Sequence, residues 1–404
     1  MNTPLPGIAL ENRRLHLGVC GSVAAYKSVE VMRDLQKAGV LVSVTLTGSA
    51  ARFVAPLTFA SLGASPVYGR MFDDNAEPFA HLEPGRCAHA LLVAPASATT
   101  LARLAGGFAD EMLAAQALAF PGPLVIAPAM NPIMWAHPAT RRNVAMLRER
   151  GVIFVPPDSG PVACGDNGEG KLASRKEIVF AAAKALLEQD MAGKKVLVTL
   201  GPTREPWDGV RVWTNSSSGR MGAALALAAY LRGAEVYALA GPGVPALPEK
   251  VQRTDVNGAR QMFEAAVDLW PRMDFGIFSA AVADFSPVPK GPEKFKKSAA
   301  ADDISIRFTR NPDILATLAQ DARPEQRILG FAAETGDLEQ NARVKLHAKG
   351  MHLTAANLIG LPGSGFISVN NTVFVCDCRG REENWPTMQK TDIAWRLLDW
   401  LLTL

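Results

Sequence analysis

Long hydrophobic runs are missing from this sequence: nowhere do the roughly 18 consecutive apolar residues of a membrane-spanning helix occur. The opening stretch MNTPLPGIALENRRLHLGV also lacks a basic segment followed by a long apolar one, so a soluble, cytoplasmic protein is expected. Cysteine is scarce. Five residues (Cys20, Cys87, Cys164, Cys376, Cys378), none in a metal-type pair with two residues between, argue against a disulfide framework and against a zinc site. An excess of charge of one sign is absent too: 42 Lys+Arg face 39 Asp+Glu, a net charge of +3. That balance argues against a nucleic-acid partner, while phosphorylated small molecules remain compatible.

What is present is an ordinary globular composition, 48% hydrophobic and 20% charged, over 404 residues, enough for two domains with a core each. Short apolar runs ending in small or polar residues alternate with helical spacing. RLHLGVC at 14–20, VLVSVTLT, HALLVAPAS, GPLVIAPAM and GVIFVPP read as strands, and VAAYKSVEVMRDLQKAG reads as a helix stopped by glycine. After DMAGKK, taken as a linker, the series restarts with KVLVTLGPTRE. NSSSGRMG then leads into a helix, and SAAVADF and GFAAET close later strands. Alternating strands and helices predict an α/β protein of two tandem Rossmann-like, doubly wound domains, residues 1–190 and 191–404. Ligands of such sheets bind outside the carboxyl ends of the strands, where CGSVAAYK, LTGSAA, APASATT and APAMNPIMW all fall.

CGSVAAYK has no third glycine at the dinucleotide spacing, so a nicotinamide site is a weak reading. Glycine and serine at a helix start still suit a single phosphate, because backbone N–H groups and a hydroxyl converge there. Cys164 lies in the glycine-rich stretch SGPVACGDNGEGKLAS, too polar for core; it is either an incidental loop thiol or chemistry on a flap. Composition alone makes His81 a surface histidine, Asn131 a turn residue before Pro132, and the lysines of KFKK a solvated face.

Taken together and in order, GSVAAYK, PASATT, PAMNPIMW and ACGDNGEGK resemble the FMN-dependent cysteine decarboxylases, and within them the phosphopantothenoylcysteine decarboxylase half of the bifunctional bacterial coenzyme A enzyme. The resemblance covers about residues 1–190. It implies FMN held by Gly21, Ser22, Thr47, Ser97 and Thr99, the last standing where the family usually has asparagine. It also implies an acid/base role for His81, a substrate-carboxylate contact at Asn131 with Met130 lining the pocket, and a proton-donating flap thiol at Cys164. In that chemistry the flavin takes electrons from the carbon bearing the thiol, carbon dioxide leaves, and the resulting ene-thiol is reduced and protonated.

The second half, from VLVTLGPTREPWDGVRVWTNSSSGRMG through SAAVADF, EKFKK, NPDIL and GFAAET, is similar to the phosphopantothenate-cysteine ligase half of the same enzymes. It implies CTP with Mg2+, an acyl-cytidylate intermediate and cysteine as nucleophile. Lys294 matches the mobile-loop lysine, Asn215 the residue associated with the intermediate, and Arg211 one acting in its reaction with cysteine. Phe278, Ser279, Ala280, Asp284, Pro312, Asp313, Ile314, Leu315, Phe331, Lys345 and Lys349 match nucleotide contacts. No carboxylate cluster marks a protein-held metal. His352 and Val369 depart from aspartates common in the family. The resemblance further implies a homo-oligomer of trimeric decarboxylase and dimeric ligase halves, acting on small molecules rather than on nucleic acid or membrane. An FMN-binding regulatory protein is the alternative, and Cys164 and Lys294 tell against it because such a protein needs neither.

Overall fold

The computed structural model describes residues 4–72, 78–296, 304–358 and 368–404. Two compact units result: Gly7–Glu188, and Gln189–Leu404 together with Met1–Pro6. Residues 4–6 therefore group with the second unit, where the sequence reading puts them in the first, and the Thr391 hydroxyl donates to the Leu5 carbonyl at 3.5 Å.

The first unit is built on six parallel strands, β1 Arg14–Val19, β2 Leu41–Leu46, β3 Val67–Tyr68, β4 Ala90–Ala96, β5 Leu124–Pro128 and β6 Ile153–Phe154. Their order across the sheet is β3-β2-β1-β4-β5-β6, so the chain reverses direction between β1 and β4. Such a switch point opens a crevice at the carboxyl ends. β4 is buried along its whole length, consistent with its apolar run and with cover on both faces. The segment read as one helix splits: a short 3-10 turn, Val23–Tyr26, precedes the helix Lys27–Lys37, whose Val31, Met32 and Leu35 face the core. Each such buried side chain contributes about 1.5–3 kcal/mol. A hairpin, β7 Asp158–Pro161 and β8 Asn167–Lys171, carries the glycine-rich stretch.

One polar chain crosses this otherwise apolar sheet. His16 on β1 is fully buried; its Nδ1 is 2.7 Å from Ser43 Oγ and its Nε2 is 2.9 Å from Thr45 Oγ1 and 3.1 Å from Gln116 Oε1. Thr45 donates to Gln116 Oε1 at 2.6 Å, and Gln116 Nε2 donates to the Ala80 carbonyl at 3.0 Å.

The second unit repeats the plan. Strands β9 Lys195–Leu200, β12 Glu235–Ala240, β13 Gln252–Asp255, β14 Phe275–Phe278, β17 Arg327–Glu334 and β18 Leu353–Leu358 lie parallel in the order β13-β12-β9-β14-β17-β18. β19 Asn370–Asp377 and β20 Glu382–Gln389 then extend the sheet antiparallel. Two small hairpins, β10 Arg204–Pro206 with β11 Val212–Thr214 and β15 Phe285–Pro287 with β16 Phe308–Arg310, stand apart from it. The helix Arg220–Leu231 is almost wholly buried, and Arg232 beyond it, 4% exposed, is neutralised by Asp190 and by Asp399 at 2.6 Å.

Candidate functional sites

In the first unit the sheet's carboxyl edge gathers most of the expected residues. Gly21 and Ser22 follow β1, Thr47 follows β2, Ser97 and Thr99 follow β4, and Met130 and Asn131 follow β5. Gly21 has no room for a side chain: a Cβ there would stand 2.4 Å from that of Ser49. Ser22 caps the 3-10 turn by accepting from Ala24 N at 3.2 Å, and Ser97 caps Ala98–Gly106 by accepting from Thr100 N at 3.2 Å. Beneath them Cys20 is buried, its thiol pushed up to about 11 by burial, and accepts from the Thr100 hydroxyl; it is structural.

The flap hairpin lies against the β5 loop. Met130 N donates to the Gly170 carbonyl at 2.9 Å, and Gly170 must be glycine, since its φ is +154° and a Cβ would stand 2.4 Å from the Met130 carbonyl oxygen. At the hairpin tip Asn131 Nδ2 donates to Cys164 Sγ at 3.3 Å, Cys164 donates to Asp166 Oδ2 at 3.4 Å, and Asn131 also donates to Asp166. Asn131 is aimed by its amide oxygen Oδ1, which accepts from Ile133 N at 2.8 Å and caps Pro132–Ala136. Asp166, which ties the two expected residues together, was not picked out from the sequence, although it lies two positions after Cys164. His81 is half-buried in the turn before Glu83–Cys87, and among the described residues no hydrogen bond joins it to this cluster.

In the second unit two cavities of about 480 and 540 Å³ share Ala280, Ala281, Val282, Asp284 and Phe331 as walls. Asn215, Ser217, Gly219, Ser279 and Lys345 line the first; Phe278, Pro312, Asp313, Ile314, Leu315 and Lys349 line the second. The Ser279 hydroxyl donates to the Thr199 carbonyl at 2.8 Å, and Asn215 Nδ2 to the Val282 carbonyl at 3.1 Å, so the β14 loop is fixed from both sides. Lys345 is paired with Glu334, and Lys349 with Asp313 at 3.1 Å. Asp313 also caps Ile314–Gln320.

Arg211 and Lys294 line neither cavity. Arg211 belongs to a separate cluster in which Asp208 accepts from Arg211 Nη1 at 2.6 Å and from Phe295 N at 3.1 Å, while Trp207 and Phe295 pack at 5.3 Å, and Lys294 directly precedes Phe295 in the chain. Burial would raise the Asp208 carboxyl, but the backbone N–H groups of Arg211, Val210 and Phe295 and the Arg211 guanidinium bring it down to about 2. His352 sits at the amino end of β18, accepting from Ile328 N at 3.1 Å, and does not line the cavities; Val369 offers its carbonyl to Lys390 N at 3.0 Å.

Family comparison agrees with this division. The family described as Flavoprotein matches residues 7–187, and that described as DNA/pantothenate metabolism flavoprotein C-terminal domain matches residues 191–404. The chain is 39% identical, over 400 residues and 98% of each sequence, to the coenzyme A biosynthesis bifunctional protein CoaBC of Bacillus subtilis. The chain belongs to the CoaBC family. Against the CoaBC protein of Escherichia coli K12 the identity is 39% over 402 residues, again 98% of each. A solved C-terminal domain of a CoaBC protein aligns with 54% of this chain and 97% of its own at 33% identity, with a TM-score of 0.45.

Several cavity residues escaped the sequence reading. Asn357, Asn371, Lys390 and Arg220 line the first cavity, and Arg310 and Asn311 the second. Asn357 ends the AAN run of β18 and was legible as a polar residue at a strand's carboxyl end. Asn371 comes from the antiparallel extension, two positions after Val369, and Lys390 from the helix after it, which no motif marks.

Proposed function

We propose that the chain is a bifunctional coenzyme A biosynthesis enzyme. The second unit joins cysteine to 4'-phosphopantothenate, and the first decarboxylates the resulting 4'-phosphopantothenoylcysteine to 4'-phosphopantetheine. The observation that carries the decarboxylase reading is the 3.3 Å approach of the Asn131 amide to the Cys164 thiol under a glycine flap.

The donor set after β1, β2 and β4 suits FMN: hydroxyls of Ser22, Thr47, Ser97 and Thr99 surround a backbone that Gly21 keeps open. Bound FMN supplies reversible hydride acceptance, which lets the carbon bearing the substrate thiol be oxidised before carbon dioxide leaves. Asn131 Nδ2 orients the substrate carboxylate, taking it in place of Asp166. Cys164 Sγ then gives its proton to the ene-thiol, and Asp166, which accepts from Cys164, aims that thiol. His81 is assigned the acid/base role in the oxidative step.

In the second unit CTP with Mg2+ activates the pantothenate carboxylate as an acyl-cytidylate, pyrophosphate leaves, and the cysteine amine displaces CMP. Lys294 neutralises the crowded anions, Asn215 holds the intermediate and Arg211 serves its reaction with cysteine. Mg2+ is assigned to the triphosphate and not to a protein cage, since this ion binds through substrate phosphates and keeps several of its waters. A homo-oligomer of trimeric first halves and dimeric second halves, in the cytoplasm, completes the proposal.

The test supplies purified chain with phosphopantothenate, cysteine, Mg2+ and either CTP or ATP, following pyrophosphate and carbon dioxide separately. Pyrophosphate without carbon dioxide would sink the decarboxylase assignment, and a colourless protein that FMN cannot reconstitute would sink the cofactor.

A further inference from the structure

A carbonyl oxygen only accepts, so the 3.0 Å contact from Gln116 Nε2 to the Ala80 carbonyl decides which way the Gln116 amide points. Its Oε1 is then the end that meets Thr45 and His16. Thr45 donates to Oε1, and His16 Nε2, 3.1 Å away, must carry the ring proton to donate there as well. That leaves Nδ1 bare to accept from the Ser43 hydroxyl at 2.7 Å. Burial, opposed by the bond to Gln116, lowers the His16 pKa to about 4, so the ring is neutral near pH 7. The polar chain is therefore uncharged and directed, and it ends on Ala80.

The residue after Ala80 is His81. A peptide unit is planar, so an anchored Ala80 oxygen fixes the plane that ends on the His81 Cα, from which the imidazole projects. Ala80 is buried, whereas Phe79 before it is exposed and His81 after it half-buried. Leu82 N and Glu83 N both donate to the Phe79 carbonyl, at 2.8 and 3.3 Å. Those two bonds close the turn on itself without tying it to the sheet. Gln116 supplies that tie: it is fully buried on the helix Met112–Leu118, 36 positions away, and is held by side chains of β1 and β2. A buried carbonyl left without its donor costs about 1–3 kcal/mol, enough to make the turn shift in search of another partner.

We propose that Gln116 is a positioning residue for His81: its amide holds the Ala80 carbonyl, and His16, Thr45 and Ser43 hold the amide, so that the imidazole is presented to the substrate in one orientation. The inference rests on the acid/base role assigned to His81 above. Gln116 touches neither substrate nor flavin in this scheme. Its effect passes through the His81 backbone, and a displacement of about 1 Å at a proton-transferring group is enough to slow a reaction strongly.

The test is a double-mutant cycle on the full-length, FMN-loaded chain: parent, Gln116→Met, His81→Ala and the pair, each assayed for decarboxylation of supplied 4'-phosphopantothenoylcysteine. Gln116→Met keeps the side-chain length and removes the donor. It is expected to lower kcat about tenfold with KM within about twofold when His81 is present, and to cost less than about twofold when His81 is alanine. Hydrogen exchange read by mass spectrometry, without substrate, is expected to be at least about fivefold faster at the Leu82 and Glu83 amides in Gln116→Met. Parent-like kcat, parent-like exchange, or equal losses with and without His81 overturn the inference alone. A parent that releases no carbon dioxide, or a His81→Ala chain as fast as the parent, overturns the underlying reading and this inference with it. With His81→Ala inactive, kcat and exchange of Gln116→Met decide by themselves. Should Gln116→Met not fold, Thr45→Val, which removes the hydroxyl donating to Oε1, takes its place in both measurements. A kcat loss of about threefold or more that needs His81, or faster exchange where His81→Ala is inactive, then supports the proposal, and the contrary result overturns it.

Discussion

Asn131 and Cys164 are 33 positions apart in sequence, yet the amide of one donates to the sulfur of the other at 3.3 Å. Replacing Cys164 with serine leaves a hydroxyl too weakly acidic to supply the proton. Cys164→Ser is expected to keep its yellow cofactor and release carbon dioxide, but to stop at the ene-thiol with the flavin bleached. Absorbance of the flavin band and mass of the product check this; a normal phosphopantetheine yield would refute the role.

Asn131→Asp places a negative charge where the substrate carboxylate must sit. Like charges at that distance repel, and the loss in decarboxylation kcat/KM is expected to be about 100-fold or more, with pyrophosphate release in the second unit unaffected. Steady-state assays of both half-reactions on one preparation decide it.

Gly170→Ala tests the flap directly. With φ at +154° and the Met130 carbonyl oxygen 2.4 Å from the added carbon, the hairpin must move off the β5 loop. Decarboxylation is expected to fall at least about tenfold, whereas the melting temperature of this edge substitution changes little. Parent-like turnover would show that the flap's seat on Met130 is not needed.

Two groups, one in each unit, give stability a pH signature. Burial holds His16 neutral, its pKa lowered from 6.5 to about 4, so the unfolded chain binds its proton more readily. Stability contributed by the neutral ring is full above 6.5 and is lost as pH falls through that window, by on the order of 3 kcal/mol at most. Asp208 acts further down: its pKa, lowered from 3.8 to about 2, makes its contribution full above 3.8 and lost as pH falls toward 2. Denaturant titrations of parent and His16→Leu between pH 4 and 7 check the first, since the variant's stability should be flatter with pH.

Asp208→Ala frees Arg211 and the Phe295 backbone at once. Ligation is expected to drop about tenfold or more while decarboxylation of supplied phosphopantothenoylcysteine stays unchanged. Equal losses in both half-reactions would mean global damage instead.

Strands ending in small residues were legible because a buried parallel strand needs an unbroken apolar run, and the turn after it needs glycine or serine: RLHLGVC and HALLVAPAS announce β1 and β4. β3 was not, because Val67–Tyr68 is two residues long behind Pro66, and the strand taken as third is the fourth. The β19–β20 pair was half visible. The apolar run TVFVC lies in β19, but EENWPTMQ is an exposed edge strand whose Pro386 disguises it. Asn131 and Cys164 were singled out through the family resemblance, because residue types alone left a turn asparagine and a loop thiol equally open, whereas Lys390 reaches its cavity only through tertiary pairing that no local pattern encodes.

A sheet whose inner strands are mostly leucine, valine and alanine has little to stop one strand sliding along another, because every alignment buries similar grease. In the β1–β2 pair His16 stands opposite Ser43 and Gly18 opposite Thr45. Only that alignment gives the imidazole both of its nitrogen partners and leaves Gln116 an amide for Ala80. Shifted by two residues, the same strand would strand a polar ring in hydrocarbon. The polar chain thus acts as a key cut for one lock position, trading some of the core's tolerance for a single way to assemble.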